Sequence, residues 1–107
     1  MPYADYLRDA TDEQRALYAY MSDLSERCWC AGWIDGNEAA CWEAVMHGGT
    51  RYGLGLITSD EAAELKRLSD KAGGWWHWPG GSRRPQFVSL DEWRSIYAEK
   101  WQREGGK

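Results

Sequence analysis

Gly73-Gly74-Trp75-Trp76-His77-Trp78-Pro79-Gly80-Gly81-Ser82-Arg83-Arg84-Pro85-Gln86-Phe87-Val88 is the stretch on which the fold turns. Aromatic and β-branched residues suit a pleated surface, and the Pro/Gly/Ser run between them suits a turn. Residues 75–78 and 86–88 therefore read as two short strands of a hairpin. Pro85 has no N–H to give a ladder, so its strand lies at an edge or begins after it. Side chains alternate along a strand, which puts Trp76 and Trp78 on one face and Trp75 and His77 on the other. One pair closes the core. The other is either covered as well or displayed to a partner, and Arg83 and Arg84 stand beside it. With eight tryptophans in 107 residues, indole dominates whichever surface it lines.

Working outward, Ser89 and Glu92 form a capping box that opens a C-terminal helix striped by Leu90, Trp93, Ile96, Tyr97 and Trp101 and fraying at Gly105-Gly106. That stripe is the expected cover for one face of the hairpin. Upstream, Thr58 and Glu61 form a second box before a helix over residues 59–71, with Ala62, Leu65 and Leu68 inward and Gly73-Gly74 at its end. Thr11 and Gln14 form a third. From there Leu17, Tyr20, Met21, Leu24, Cys28 and Ala31 keep one helical phase, continued by Ala39, Trp42 and Met46 until Gly48-Gly49. The phase predicts helix over residues 12–47. Asp35-Gly36 and residues 22–25 are the places for a break, and helix is expected on both sides of Asp35-Gly36 with a kink there. Gly32, Gly36, Ala40 and Ala44 form a strip of small residues at i, i+4 spacing, which permits close approach of another helix. The fold class that follows is α+β and predominantly helical, three or four helices with one small β-hairpin near residues 75–88. Its length makes residues 1–107 one domain.

The formal charge of −4 conceals a polarity. Residues 1–64 carry twelve acidic against four basic residues, while residues 65–107 carry nine basic against five acidic. Phosphate backbones need clustered Lys and Arg, so direct nucleic-acid binding is not expected. An acidic surface suits a protein partner with a basic one, or simply keeps the chain in solution. No apolar run has the length of a membrane span, and the start lacks the basic and apolar segments of a signal peptide. Three cysteines without a paired framework read as reduced thiols, hence a cytoplasmic protein.

Chemistry-bearing patterns are weak. Cys28 and Cys30 diverge on a helix, and Cys30 and Cys41 lie three turns apart, so no metal and no cofactor is expected. His47 sits at a helix C-terminus, where it complements the dipole. Gly53-Leu54-Gly55 precedes a helix but matches no phosphate-binding spacing, and Asp60 and Glu61 repel an anion. Asp35 and Glu38 interrupt an apolar helical face, where they form an acidic pair or mark its solvent edge. The expectation is a small, acidic, non-enzymatic protein-binding module, an inhibitor or adaptor of a larger and possibly nucleic-acid-handling assembly, of the phage anti-defence (anti-CRISPR-like) or toxin-immunity kind. Its candidate partner-binding residues are Glu26, Asp35, Glu38, Glu43, Trp75, Trp76, His77, Trp78, Arg83 and Arg84. The alternative is a ligand-binding or enzymatic domain with a Trp-rich pocket around His77.

Overall fold

Residues 5–30, 37–49, 57–79 and 84–103 are described by the computed structural model, with the side chains at 25, 27–30, 37–40 and 100–103 outside that description. The elements run α1 (Asp5–Arg8), α2 (Asp12–Cys30), α3 (Asn37–His47), α4 (Ser59–Ala72), β1 (Gly74–His77), β2 (Gln86–Ser89) and α5 (Leu90–Arg103). The fold is α+β and predominantly helical with one two-stranded antiparallel hairpin. Four helices are substantial, and α1 is a single turn.

The capping boxes set the helix starts. At α2, Gln14 N–H donates to Thr11 Oγ1 at 3.1 Å and Thr11 N–H to Gln14 Oε1 at 3.0 Å. The same reciprocal pair joins Thr58 and Glu61 at α4. Ser89 Oγ accepts from Glu92 N–H at 3.1 Å at α5, so the last residue of β2 is also the cap of the next helix. Each box satisfies donors that a helix N-terminus otherwise leaves to water.

Residues 12–47 hold two helices rather than one kinked helix, because α2 and α3 pack against each other. Helix does stand on both sides of Asp35-Gly36, a dipeptide outside the described residues, and α2 passes through residues 22–25 without a break. The shared apolar phase reports that both helices bury a face, not that they are collinear. Leu17, Met21 and Leu24 of α2 are buried, as are Cys41, Trp42 and Ala44 of α3. Met46, placed on the inward stripe by its spacing, is instead 49% exposed. Gly32 and Gly36 lie outside the described residues, and of the small-residue strip Ala44 is seen in the core.

Helices α2, α3 and α4 pack on one another, and the hairpin sits against α2, α4 and α5. Its register pairs Gly74 with Ser89, Trp75 with Val88, Trp76 with Phe87 and His77 with Gln86. Trp75 and Trp76 are adjacent, point to opposite faces and are both buried. The Trp75 face meets Trp42 of α3 edge-on at 5.3 Å between centroids and stacks with Trp93 of α5 at 6.3 Å. The Trp76 face meets Tyr18 of α2 at 5.5 Å and Tyr6 of α1 at 6.3 Å. Trp76 Nε1 donates to the Gln14 carbonyl oxygen at 2.8 Å, tying the hairpin to the first turn of α2.

Two glycines make the turn from α4 into β1. Gly73 closes α4 in the left-handed region at φ 82°, its N–H bonded to the Ser69 carbonyl at 2.8 Å. Ser69 Oγ then donates to the Gly74 carbonyl at 2.8 Å, which accounts for this buried hydroxyl. A Cβ on Gly74 would overlap the Val88 carbonyl oxygen and the Phe87 ring, whereas one on Gly73 would meet nothing. Gly73→Ala should therefore cost about 1–2 kcal/mol, the strain of a left-handed alanine. Gly74→Ala should cost more, because the strand pairing itself must open; equal urea midpoints for the two variants would refute the close approach.

A second contrast concerns indole N–H groups. Trp93 Nε1 is buried with no partner among the described residues, whereas Trp76 Nε1 is bonded. An unpaired buried donor costs about 1–3 kcal/mol, and phenylalanine lacks it. Trp93→Phe should destabilise less than Trp76→Phe, as read from chemical denaturation of the two variants.

Candidate functional site

The alternation of the hairpin side chains is as the spacing requires, with Trp75 and His77 facing Trp93 of α5. The His77 ring lies 5.6 Å from Trp93. The other pair is not displayed. Trp78 is half-buried and stacks on Tyr18 at 6.1 Å and 29°, beside the buried Trp76. A partner cannot touch Trp75 or Trp76, so their assignment as contact residues is corrected: they are the centre of the core. The indoles on either side of the ribbon are packed against α2, α3 and α5. Aromatic alternation shows which side chains share a face, but not how many faces are covered.

The remaining candidates scatter. Arg84 is exposed, 3.8 Å from Asp5 and 5.5 Å over the Tyr6 ring, so it holds α1 rather than extending a tryptophan surface. Arg83 and Asp35 lie outside the described residues, as does the Glu38 side chain. Glu26 is exposed on α2 and Glu43 half-buried on α3, so the two stand on separate helices that pack against each other. Cys41 is buried in the core, and the side chains of Cys28 and Cys30 are outside the description. Among the described residues no three ligand-type side chains converge.

What the structure does bring together on α2 is a row of exposed carboxylates, with the Arg27 side chain outside the described residues. Asp12, Asp23 and Glu26 fall along one exposed stripe with Ala16 and Ala19, and Glu13 stands at its shoulder. Arg15, the nearby cation, is committed elsewhere: its Nε donates to the Leu7 carbonyl at 2.7 Å and its guanidinium to the Arg8 carbonyl and Asp12, both at 3.0 Å. Glu13, Asp23 and Glu26 form no ion pair among the described residues. The described cations of the second half are largely matched locally, with Arg67 to Glu64 at 2.6 Å and Lys66 to Asp70 at 2.8 Å. That pairing holds the Glu64 carboxyl below its ordinary pKa, the Arg67 hydrogen bond being the main cause.

A cleft of about 410 Å³ opens where α3, α4 and α5 meet. Its floor is Trp42, Val45 and Met46 of α3 with Leu90 and Tyr97 of α5. Lys66, Ser69 and Asp70 of α4 and Arg94 of α5 supply the polar wall. Arg94 lies 6.0 Å over the Trp42 ring and 3.6 Å from Asp91. The i, i+4 pair Trp42 and Met46 and the i, i+4, i+7 set Leu90, Arg94 and Tyr97 were the signal for this cleft in the sequence. Trp42, Met46, Leu90 and Tyr97 read as members of plain core stripes and Arg94 as a member of none, because which helices leave a gap is not local information.

No protein-family model matches the chain, and no curated protein or solved structure matches it. No helix among the described residues is long and apolar enough to cross a membrane.

The aromatic face of α2 gives the structure a pH dependence. Burial, reinforced by the neighbouring Tyr6 hydroxyl at 3.5 Å, pushes the Tyr18 phenol up to about 12. The unfolded chain ionises this group near 10, so it binds fewer protons than the folded chain between the two values. The contribution is thus fully present below pH 10 and lost as pH rises to about 12. Urea midpoints across that window should fall more steeply for the wild type than for Tyr18→Phe.

Proposed function

We propose that this chain is a small acidic, non-enzymatic protein-binding module, an inhibitor or adaptor that engages a basic surface on a larger assembly in the cytoplasm. The observation that carries the reading is the charge distribution: α2 keeps Glu13, Asp23 and Glu26 exposed without ion pairs among the described residues, while Lys66, Arg67, Arg84 and Arg94 each lie beside a carboxylate, Asp70, Glu64, Asp5 and Asp91 respectively. An exposed acidic stripe raises the local concentration of a cationic surface and accelerates encounter. An acidic face of this kind competes for a channel that a nucleic-acid-handling machine lines with Lys and Arg, which supports an anti-defence or immunity-type role. The rigid footing of α2, capped at Thr11 and bonded to Trp76, favours a preformed contact surface over one that orders on binding.

The experiment is affinity capture on the immobilised protein with identification of a stoichiometric partner, followed by association kinetics at increasing ionic strength. Association should slow steeply with salt, since exposed charges are screened over about 8–10 Å at physiological ionic strength. Asp23→Lys with Glu26→Lys should slow association about tenfold while leaving stability within about 0.5 kcal/mol of the wild type. Salt-independent association, or capture indifferent to the double reversal, refutes the acidic-face reading.

A further inference from the structure

We infer that the cleft between α3, α4 and α5 is a ligand site for a small amphipathic carboxylate, seated with its apolar body on Trp42 and Met46 and its headgroup on Arg94. This site is separate from the α2 stripe and does not depend on the protein-binding reading. Small-molecule sites are concave, mostly apolar and about 300–1,000 Å³ in volume, with few polar groups fixing orientation. The cleft holds about 410 Å³ and has an aromatic and thioether floor. Met46, half exposed at 49%, lies open at this floor, and a thioether adapts its shape to a flat apolar guest.

The polar wall selects the headgroup. Ser69 Oγ is already spent on the Gly74 carbonyl, and Lys66 and Asp70 hold each other at 2.8 Å. Arg94 is held more loosely, 3.6 Å from Asp91, whose side chain is 98% exposed. Its guanidinium, a planar fork, lies 6.0 Å over the Trp42 ring, beside the apolar floor. A fork of that geometry takes a carboxylate through two parallel hydrogen bonds, and the charge-assisted pair is stronger than a neutral one. With Asp91 counted, two cations face two carboxylates, and Arg94 is the cation held at the longer distance, so it is the one that a ligand anion can take over from solvent-exposed Asp91. An anion is complementary to Arg94 and an ammonium is not.

Three probes with one apolar body test the headgroup: phenylbutyrate, phenylbutanol and phenylbutylamine, each titrated into the full chain at millimolar concentration. Indole N–H and methionine methyl resonances report the contacts, and the melting temperature reports affinity independently. Phenylbutyrate should shift Trp42 and Met46 signals, raise the melting temperature and bind about tenfold tighter than either of the other probes. Arg94→Gln should reduce phenylbutyrate to the level of the alcohol, and Arg94→Lys should restore only part of the difference. Arg94 is exposed, so both variants should fold, and their unliganded melting curves verify it. Equal binding of all three probes, a preference for the amine, an unchanged preference in Arg94→Gln, or no shift at Trp42 and Met46 each overturns the inference.

Discussion

A two-stranded ribbon has two faces, and here each face buries a tryptophan. That constraint organises everything else. Trp75 and Trp76 are neighbours in the chain, so covering both requires helices on opposite sides of a hairpin too narrow to form a sheet layer of its own. Helices α1 and α2 cover one side through Tyr6 and Tyr18, while α3 and α5 cover the other through Trp42 and Trp93. The ribbon is thus an internal partition, with helices packed where an exposed sheet face would otherwise be. Adjacent indoles at centroid distances of 5.3–6.3 Å across the Trp42, Trp75 and Trp93 set interlock edge to face and in stacks, arrangements that add to their area burial.

Features encoded over three or four residues were legible in the chain. The Thr11, Thr58 and Ser89 caps, the Gly73 stop and the strand alternation all involve neighbours whose geometry is fixed by spacing. The tertiary choices were less accessible. One helical phase from Leu17 to Met46 describes a collinear helix and a packed pair alike, because either arrangement buries one face of each segment. Only Met46 at its end departs from the pattern among the described residues. The fate of the second hairpin face depended on Tyr18, sixty residues upstream, which no local pattern connects to Trp78. The cleft was invisible for the same reason. Trp42 and Leu90 are core-like by spacing, and only the docking of α5 on the hairpin leaves space beside them.

Electrostatics follow from where each arginine is spent. Arg15 caps the end of α1 by holding the Leu7 and Arg8 carbonyls, and Arg84 lies over Tyr6, so two cations are used to fix the first turn against the core. The helix α4 neutralises itself through i, i+3 and i, i+4 pairs. Exposed pairs of this kind add little stability. Their larger effect is on the field: by cancelling charge elsewhere they leave the α2 carboxylates as an exposed feature, and Arg94 as the loosely engaged cation of an apolar cleft.

The bond from Trp76 to the carbonyl of Gln14 joins residues 62 positions apart, and it bears on how the chain is made. A ribosome releases α2 well before the hairpin, and α5, which supplies Trp93, emerges after the hairpin. Until then α2 can associate with α3 and α4, but Tyr18 has Tyr6 without Trp76 or Trp78, and Trp42 lacks Trp75 and Trp93. The nascent chain must carry its apolar helices without their partition, in a state that non-local contacts reward only once the hairpin and α5 have emerged. Loss of the final helix would accordingly leave a collapsed intermediate rather than a smaller version of the same domain.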